Sequence, residues 1–231
     1  MTPELLSALN EARGQKRRVC LVRYLADGGE ALIVDDAIVI GEAPPDVLAA
    51  ARKALSRDQS TAVDTSRGRA FLQVFNPPLR LLIIGAVHIA QALAPMAALA
   101  GYHVTVIDPR RAFATDSRFP DIIVTLDWPD EAMTALAPDR RTAVVALTHD
   151  PKIDDPGLDV ALKSEAFYIA ALGSKRTHAG RLERLRAMGH DEATLARIHG
   201  PAGLDIGAVS PAEIAISIMA EMTRALRLGG S

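Results

Sequence analysis

Four short stretches of this sequence carry the residues best suited to chemistry, and each follows an apolar run and precedes a helical pattern. The first is Gly85-Ala86-Val87-His88, after the aliphatic residues 81–84 and before helical periodicity over residues 88–99. Strand, tight turn and helix in that order form the context in which a dinucleotide fingerprint cradles phosphate, with backbone amides at the helix start as donors. Gly85 supplies the turn, and Ala90 is small enough to let helix and strand pack closely. Val87 stands where a second glycine normally admits a pyrophosphate to the backbone. Its isopropyl group should displace the phosphates or shift their path, which argues against ordinary NAD(P) binding. His88 is expected to point toward the same edge.

The second stretch, Asp108-Pro109-Arg110, closes the next apolar run 23 residues after Gly85. Its carboxylate suits a ribose diol, and Arg110 with Arg111 suits an additional phosphate; the plain alternative is a solvated turn with a local Asp–Arg pair. The third, Thr148-His149-Asp150, sets a hydroxyl, an imidazole and a carboxylate at a strand end, a group able to shuttle a proton or hydrogen-bond a ligand. Equally, Asp150 can cap the following turn and His149 can simply pack. The fourth, Gly173-Ser174-Lys175-Arg176, continues into Thr177 and His178 and combines small residues, hydroxyls and two cations at a helix start, where the dipole adds positive potential. Its bland counterpart is surface charge on a first turn. Asp154 and Asp155 add carboxylates without a recognised ligand spacing, so no metal site is expected, and no residue is assigned a catalytic role.

What must position these stretches is a parallel sheet. Apolar runs at 81–84, 104–107, 122–124, 143–147 and 167–171 alternate with helical patterns at 88–99, 130–136, 157–162 and 178–188, the arrangement of a Rossmann-type, doubly wound α/β fold. Ligands of such sheets lie beyond the carboxyl ends of the strands where strand order reverses, so the loop after Leu147 should face the glycine turn. Residues 199–207, rich in glycine, read as a loop closing over that edge. Ser210-Pro211-Ala212-Glu213 supplies a capping box and a first-turn proline for the last helix. Upstream, the chain reads as a smaller α+β module: a helix over 3–13, a hairpin of 19–25 and 31–34, an apolar run at 37–40, a helix over 46–55 and a strand at 70–75. Pro77-Pro78 marks the expected boundary between domains 1–77 and 78–231.

Composition narrows function by exclusion. The 231 residues are 49% hydrophobic and 23% charged with a formal charge of −2, a globular balance without the positive field that nucleic acid or an anionic membrane attracts. Residues 1–18 lack the apolar stretch of a signal peptide, and no later run is long enough to span a bilayer, so neither export nor a membrane span is expected. Cys20, the single cysteine, excludes an internal disulfide, fits a reducing compartment and sits in an apolar run as a core residue. Cytoplasm is the expected location.

Taken in order, residues 85–93 (GAVHIAQAL), 104–121 (VTVIDPRRAFATDSRFPD), 147–158 (LTHDPKIDDPGL), 168–185 (YIAALGSKRTHAGRLERL) and 198–222 (IHGPAGLDIGAVSPAEIAISIMAEM) resemble the XdhC/CoxI family, and the resemblance runs from Pro78 to Leu226. It implies an accessory factor for molybdenum hydroxylases such as xanthine dehydrogenase and carbon monoxide dehydrogenase. Such a factor binds the molybdenum cofactor as cargo, assists its sulfuration and delivers it to the apo-enzyme. The positions that carry the family motifs, and so the expected cofactor contacts, are Gly85, Ala86, Val87, His88, Asp108, Pro109, Arg110, Thr148, His149, Asp150, Gly173, Ser174, Lys175 and Arg176. The implied partners are the molybdenum hydroxylase apo-enzyme and a cysteine desulfurase, and a homodimer is compatible with the pattern.

Two departures stand out. Members of the family usually have glycine where this chain has Val87, and many carry Gly-Gly-Cys-Val-Glu where this chain has Gly41-Glu42-Ala43-Pro44-Pro45-Asp46-Val47, without a thiol. The leading expectation is thus a cofactor chaperone rather than a turnover enzyme. The competing one is an NAD(P)-dependent oxidoreductase with an atypical glycine loop, using Asp108 for the ribose and His149 as acid–base group. A third is a scaffold that bridges a hydroxylase and a sulfurtransferase without binding the cofactor.

Overall fold

The computed structural model describes residues 1–115 and 117–229; Asp116, within the 104–121 stretch, lies outside the described residues. The chain forms two compact units, Met1–Pro77 and the remainder from Pro78.

The first unit contains α1 (Pro3–Gly14), β1 (Val19–Tyr24), β2 (Glu30–Val34), β3 (Ala37–Ile40), α2 (Pro45–Arg57), β4 (Thr61–Thr65) and β5 (Gly68–Phe75). Its antiparallel sheet has the order β3-β2-β1-β5-β4. Alternation along β1 explains the layering. Cys20, Val22 and Tyr24 pack with Val47, Ala51 and Leu55 of α2, while Val19 and Leu21 pack with Leu5 and Leu9 of α1. β4 carries no apolar run, and only its alternate residues are half-buried at the sheet edge, so composition alone does not announce it.

The second unit contains β6 (Leu79–Ile84), α3 (His88–Leu99), β7 (Tyr102–Ile107), β8 (Ile123–Thr125), α4 (Pro129–Leu136), β9 (Thr142–Ala146), α5 (Pro151–Leu162), β10 (Tyr168–Ala171), α6 (Lys175–Ala187), α7 (Glu192–Leu195), β11 (Ile198–His199) and α8 (Pro211–Leu228). The six strands are parallel in the order β11-β10-β9-β6-β7-β8. Counted from β6 this is 3-2-1-4-5-6, the doubly wound Rossmann order, and it reverses between β6 and β9. Both faces are covered, as parallel sheets require. Leu81 and Ile83 pack toward α3 and α8, whereas Leu82 and Ile84 pack toward α4, α5 and α6. The final helix has its capping box, with Ser210 Oγ accepting from Glu213 N at 3.3 Å and Glu213 accepting from Ser210 N at 2.8 Å.

The larger differences from the expected elements have physical reasons. Helix α5 starts at Pro151 rather than at 157, because Asp150 caps it by accepting from Lys152 N at 3.0 Å. Gly157 is therefore inside the helix, where a Cβ would come within 2.5 Å of Ile84 Cδ1; glycine lets α5 lie close on β6. Helix α6 starts at Lys175 rather than 178, with Ser174 as its cap. Residues 198–199 form the edge strand β11, which a two-residue pairing conceals from any periodicity.

Candidate functional site

The crevice at the carboxyl edge is built where strand order reverses. Gly85 N donates to Ile107 O at 2.8 Å and Leu147 N donates to Ile84 O at 2.9 Å, so the turn after β6 is stitched to both neighbouring strands. Gly85 has φ +107°, and a Cβ on it would stand 2.4 Å from Thr148 Cγ2. The glycine turn and the loop after β9 thus face and touch one another. Val87 is the N-cap of α3 in extended conformation, half-buried and packed on the core between α3 and α8. It offers no side-chain cap and the first turn holds no acid, so among the described residues the opening amides of α3 have no side-chain acceptor. His88 is exposed at the same place.

Asp108 is fully buried and fully engaged. Its oxygens accept from Ala86 N at 2.8 Å, from Arg110 N at 3.0 Å, and from Arg110 Nε and Nη2 at 2.9 and 2.7 Å. Burial works against its ionisation, but the Arg110 guanidinium and the two amides outweigh it and hold the carboxyl below its ordinary range. Asp108 therefore ties the glycine turn to β7, and Arg110 is the cation that neutralises it.

The loop after β9 is pinned from within. Asp154, 1% exposed, accepts from Thr148 N at 3.2 Å, Thr148 Oγ1 at 2.6 Å and His149 N at 3.0 Å. Those bonds hold His149 at φ +65°, a left-handed conformation uncommon outside glycine, and leave its ring exposed. Burial raises the Asp154 carboxyl above its ordinary range although Thr148, Arg181 and the amides oppose it. The neighbouring Asp155 is held by Arg184 at 2.5 and 3.1 Å. Both carboxylates thus serve loop and helix, and among the described residues no group of three or more His, Cys, Asp or Glu is placed to hold a metal ion.

The loop after β10 adjoins His149: a Cβ on Gly173, itself at φ +141°, would lie 3.6 Å from His149 Nδ1. Ser174 Oγ accepts from Thr177 N at 3.1 Å, and Lys175 and Arg176 are exposed on the first turn of α6. One turn on, His178 lies against Gly200, where a Cβ would overlap the imidazole Nδ1. Burial and the nearby Arg181 lower the His178 pKa, which keeps the ring neutral near pH 7. The glycine-rich loop after β11 does lie along this edge, with Ala202 N donating to Ala171 O at 3.1 Å. Glu221 on α8 holds that loop by accepting from Gly203 N at 2.9 Å and Tyr168 Oη at 2.7 Å, with His199 Nδ1 at 3.2 Å.

The structure therefore brings all four sequence-marked stretches to one edge. It gives roles to two residues that the sequence left without one. Asp154 stands in the sequence as a carboxylate without a ligand spacing, and Arg181 sits at i+3 from His178 and i−4 from Leu185, on a stripe that faces inward. A cation on the buried stripe of a helix was the available signal.

The sequence model described as the XdhC Rossmann domain matches residues 81–222. The chain belongs to that family. Its XdhC relatives include the protein named molybdenum cofactor insertion chaperone PaoD of Escherichia coli (strain K12), 34% identical over 64% of this chain and 40% of that protein. A protein of Bacillus subtilis (strain 168) named as a probable xanthine dehydrogenase subunit is 34% identical over 66% of this chain and 44% of its own length. An uncharacterized protein, YqeB of Escherichia coli (strain K12), is 33% identical over 73% and 32%. The chain thus spans a third to less than half of these curated relatives. Among solved structures, one titled as a xanthine dehydrogenase from Bacillus halodurans superposes with a TM-score of 0.69 at 25% identity, over 97% of this chain and 67% of the other. Among the described residues of this XdhC member, no helix is long and apolar enough to cross a membrane.

Proposed function

We propose that this chain is a maturation factor that holds the molybdenum cofactor at the carboxyl edge of its Rossmann sheet and passes it to a molybdenum hydroxylase of the xanthine or CO dehydrogenase type. The observation that carries the reading is the convergence of the uncapped start of α3 with the loops of residues 148–150 and 173–176 at the carboxyl edge where strand order reverses. Its chemistry suits a pterin bearing phosphate: backbone amides and cations lie along the edge, and Gly85 and Gly173 let the loops draw together there. The 34% identity to a protein named for inserting this cofactor adds to it.

The part of this chain is to bind, orient and release. Its only thiol does not serve sulfur transfer, because Cys20 is buried in the first unit and burial pushes its pKa up to about 12. A cysteine desulfurase acting as partner would supply the sulfur. The dehydrogenase alternative asks Asp108 to bind a ribose, yet both of its oxygens are already engaged.

The test is transfer. Protein loaded with molybdopterin under anoxic, reducing conditions and freed of excess by gel filtration should activate an apo-hydroxylase faster than the same amount of free cofactor. Equal rates with and without the chain would remove the maturation role.

A further inference from the structure

At the first strand-to-helix turn the amides that open α3 are uncapped, but Ala86 N and the Arg110 guanidinium both end on Asp108. The loop after β10 leaves its cations unpaired. Lys175 and Arg176 are exposed on the first turn of the 13-residue α6 and make no ion pair among the described residues. Their amides, at the helix start, have no intrahelical acceptor. Beneath them lies Arg181, 1% exposed and the largest fully buried side chain described. Its Nη2 donates to Leu172 O at 2.9 Å, the residue that opens the loop, and stands 3.6 Å from Asp154 Oδ2. Its Nε and Nη1 are buried without a hydrogen-bond partner among the described residues.

A guanidinium stripped of water with two unfilled donors is a costly arrangement unless acceptors complete it. Asp154 Oδ2 offsets its charge from 3.6 Å but does not fill those donors, being turned to the amides of Thr148 and His149, and Asp155 is turned to Arg184. We propose that the loop of residues 173–177, rather than the glycine turn, is the anion subsite of this domain. A phosphate or pyrophosphate there is held by Lys175, Arg176 and the first amides of α6. Arg181 stands at the start of that loop, bonded to Leu172 O, with its two unfilled donors available to complete the site. Glycine is needed at 173, because any Cβ would crowd Thr177 at 3.0 Å. If the cargo is the molybdenum cofactor, which rests on the function proposed above, its phosphate end lies toward β10 and the remainder toward the turn after β6.

The experiment uses the full chain and inorganic pyrophosphate, titrated by calorimetry at low ionic strength, with backbone amide shifts mapped in parallel. Saturable binding is expected, with the largest shifts over residues 172–178. The K175A/R176A variant should weaken it by about tenfold or more, whereas K163A/R186A, which removes two positive charges at the other ends of α5 and α6, should stay within about twofold. Arg181→Lys should retain part of the affinity and Arg181→Met lose it; should the latter fail to fold, the surface pair still decides. Absence of saturable binding, K175A/R176A behaving like the parent, or shifts centred on residues 85–89 would overturn the subsite. Cofactor retained equally by parent and K175A/R176A would overturn it while leaving the maturation role standing. Pyrophosphate bound as described with no cofactor retained would do the reverse.

Discussion

Replacing Gly85 by alanine adds one methyl group at a crowded point of the edge. The backbone there has φ +107°, and the new Cβ would meet Thr148 Cγ2 at 2.4 Å. Holding a side chain at positive φ costs about 1–2 kcal/mol, and forcing a methyl into a packed site costs about 1–3 kcal/mol. Thr148 cannot swing away freely, because its Oγ1 is bound to Asp154 at 2.6 Å and accepts from Asp150 N at 3.0 Å. The sum is about 3 kcal/mol, which for a domain of this size lowers Tm by about 6–12 °C. Trp128, the chain's single tryptophan, caps α4 in the second unit and reports on that unit by fluorescence. Thr148→Ser removes only the offending methyl, at about 1 kcal/mol by itself. The double variant G85A/T148S should therefore be less destabilised than the two single effects added, by about 1 kcal/mol or more. A G85A midpoint within about 2 °C of the parent, or strict additivity in the cycle, would refute the close approach of the two loops.

Three further outcomes follow from the same geometry. Cys20 should resist a thiol reagent in the native chain and react at once on unfolding; rapid native labelling would contradict its burial in the β1 core. Asp108→Asn should cost about 2 kcal/mol, since it leaves the half-exposed Arg110 without its partner. The Asp108 carboxyl is held below its unfolded value, so its stabilisation is complete above the ordinary carboxylate range and is lost as pH falls through the folded value. Acid unfolding of the Asn variant should accordingly be flatter below about pH 4; an unchanged acid limb would sever Asp108 from the stability of the turn. Ser210→Ala, measured by urea unfolding, should cost about 1 kcal/mol through loss of the α8 cap, and a neutral result would show the cap to be redundant.

Much of the architecture was legible because the second unit obeys local rules. Continuous aliphatic runs mark β6, β7, β9 and β10 as strands buried on both faces, and the capping box announces α8 at its first residue. The four ligand-edge stretches were visible as glycine, hydroxyl and charged residues at strand ends. Hidden from sequence was what each charged group does once packed. Asp108 reads as a ribose acceptor until its bonds to Ala86 and Arg110 are seen. Asp154 is a carboxylate without a ligand spacing until Thr148 and His149 are found leaning on it. Arg181 is a matter of burial, and burial of a cation depends on which helix face meets the sheet. β4 and β11 escaped for a different reason: short edge strands take their identity from pairing, with few apolar residues of their own.

The most direct test of the account is the stoichiometry of molybdopterin on the chain itself. Protein purified anoxically from cells that make the cofactor, then oxidised so that the released pterin fluoresces, should yield close to one pterin per chain, falling sharply in the Gly85→Ala variant. A parent chain that carries none, from cells whose cofactor supply is verified, would contradict the claim that this sheet edge is where the cargo rides.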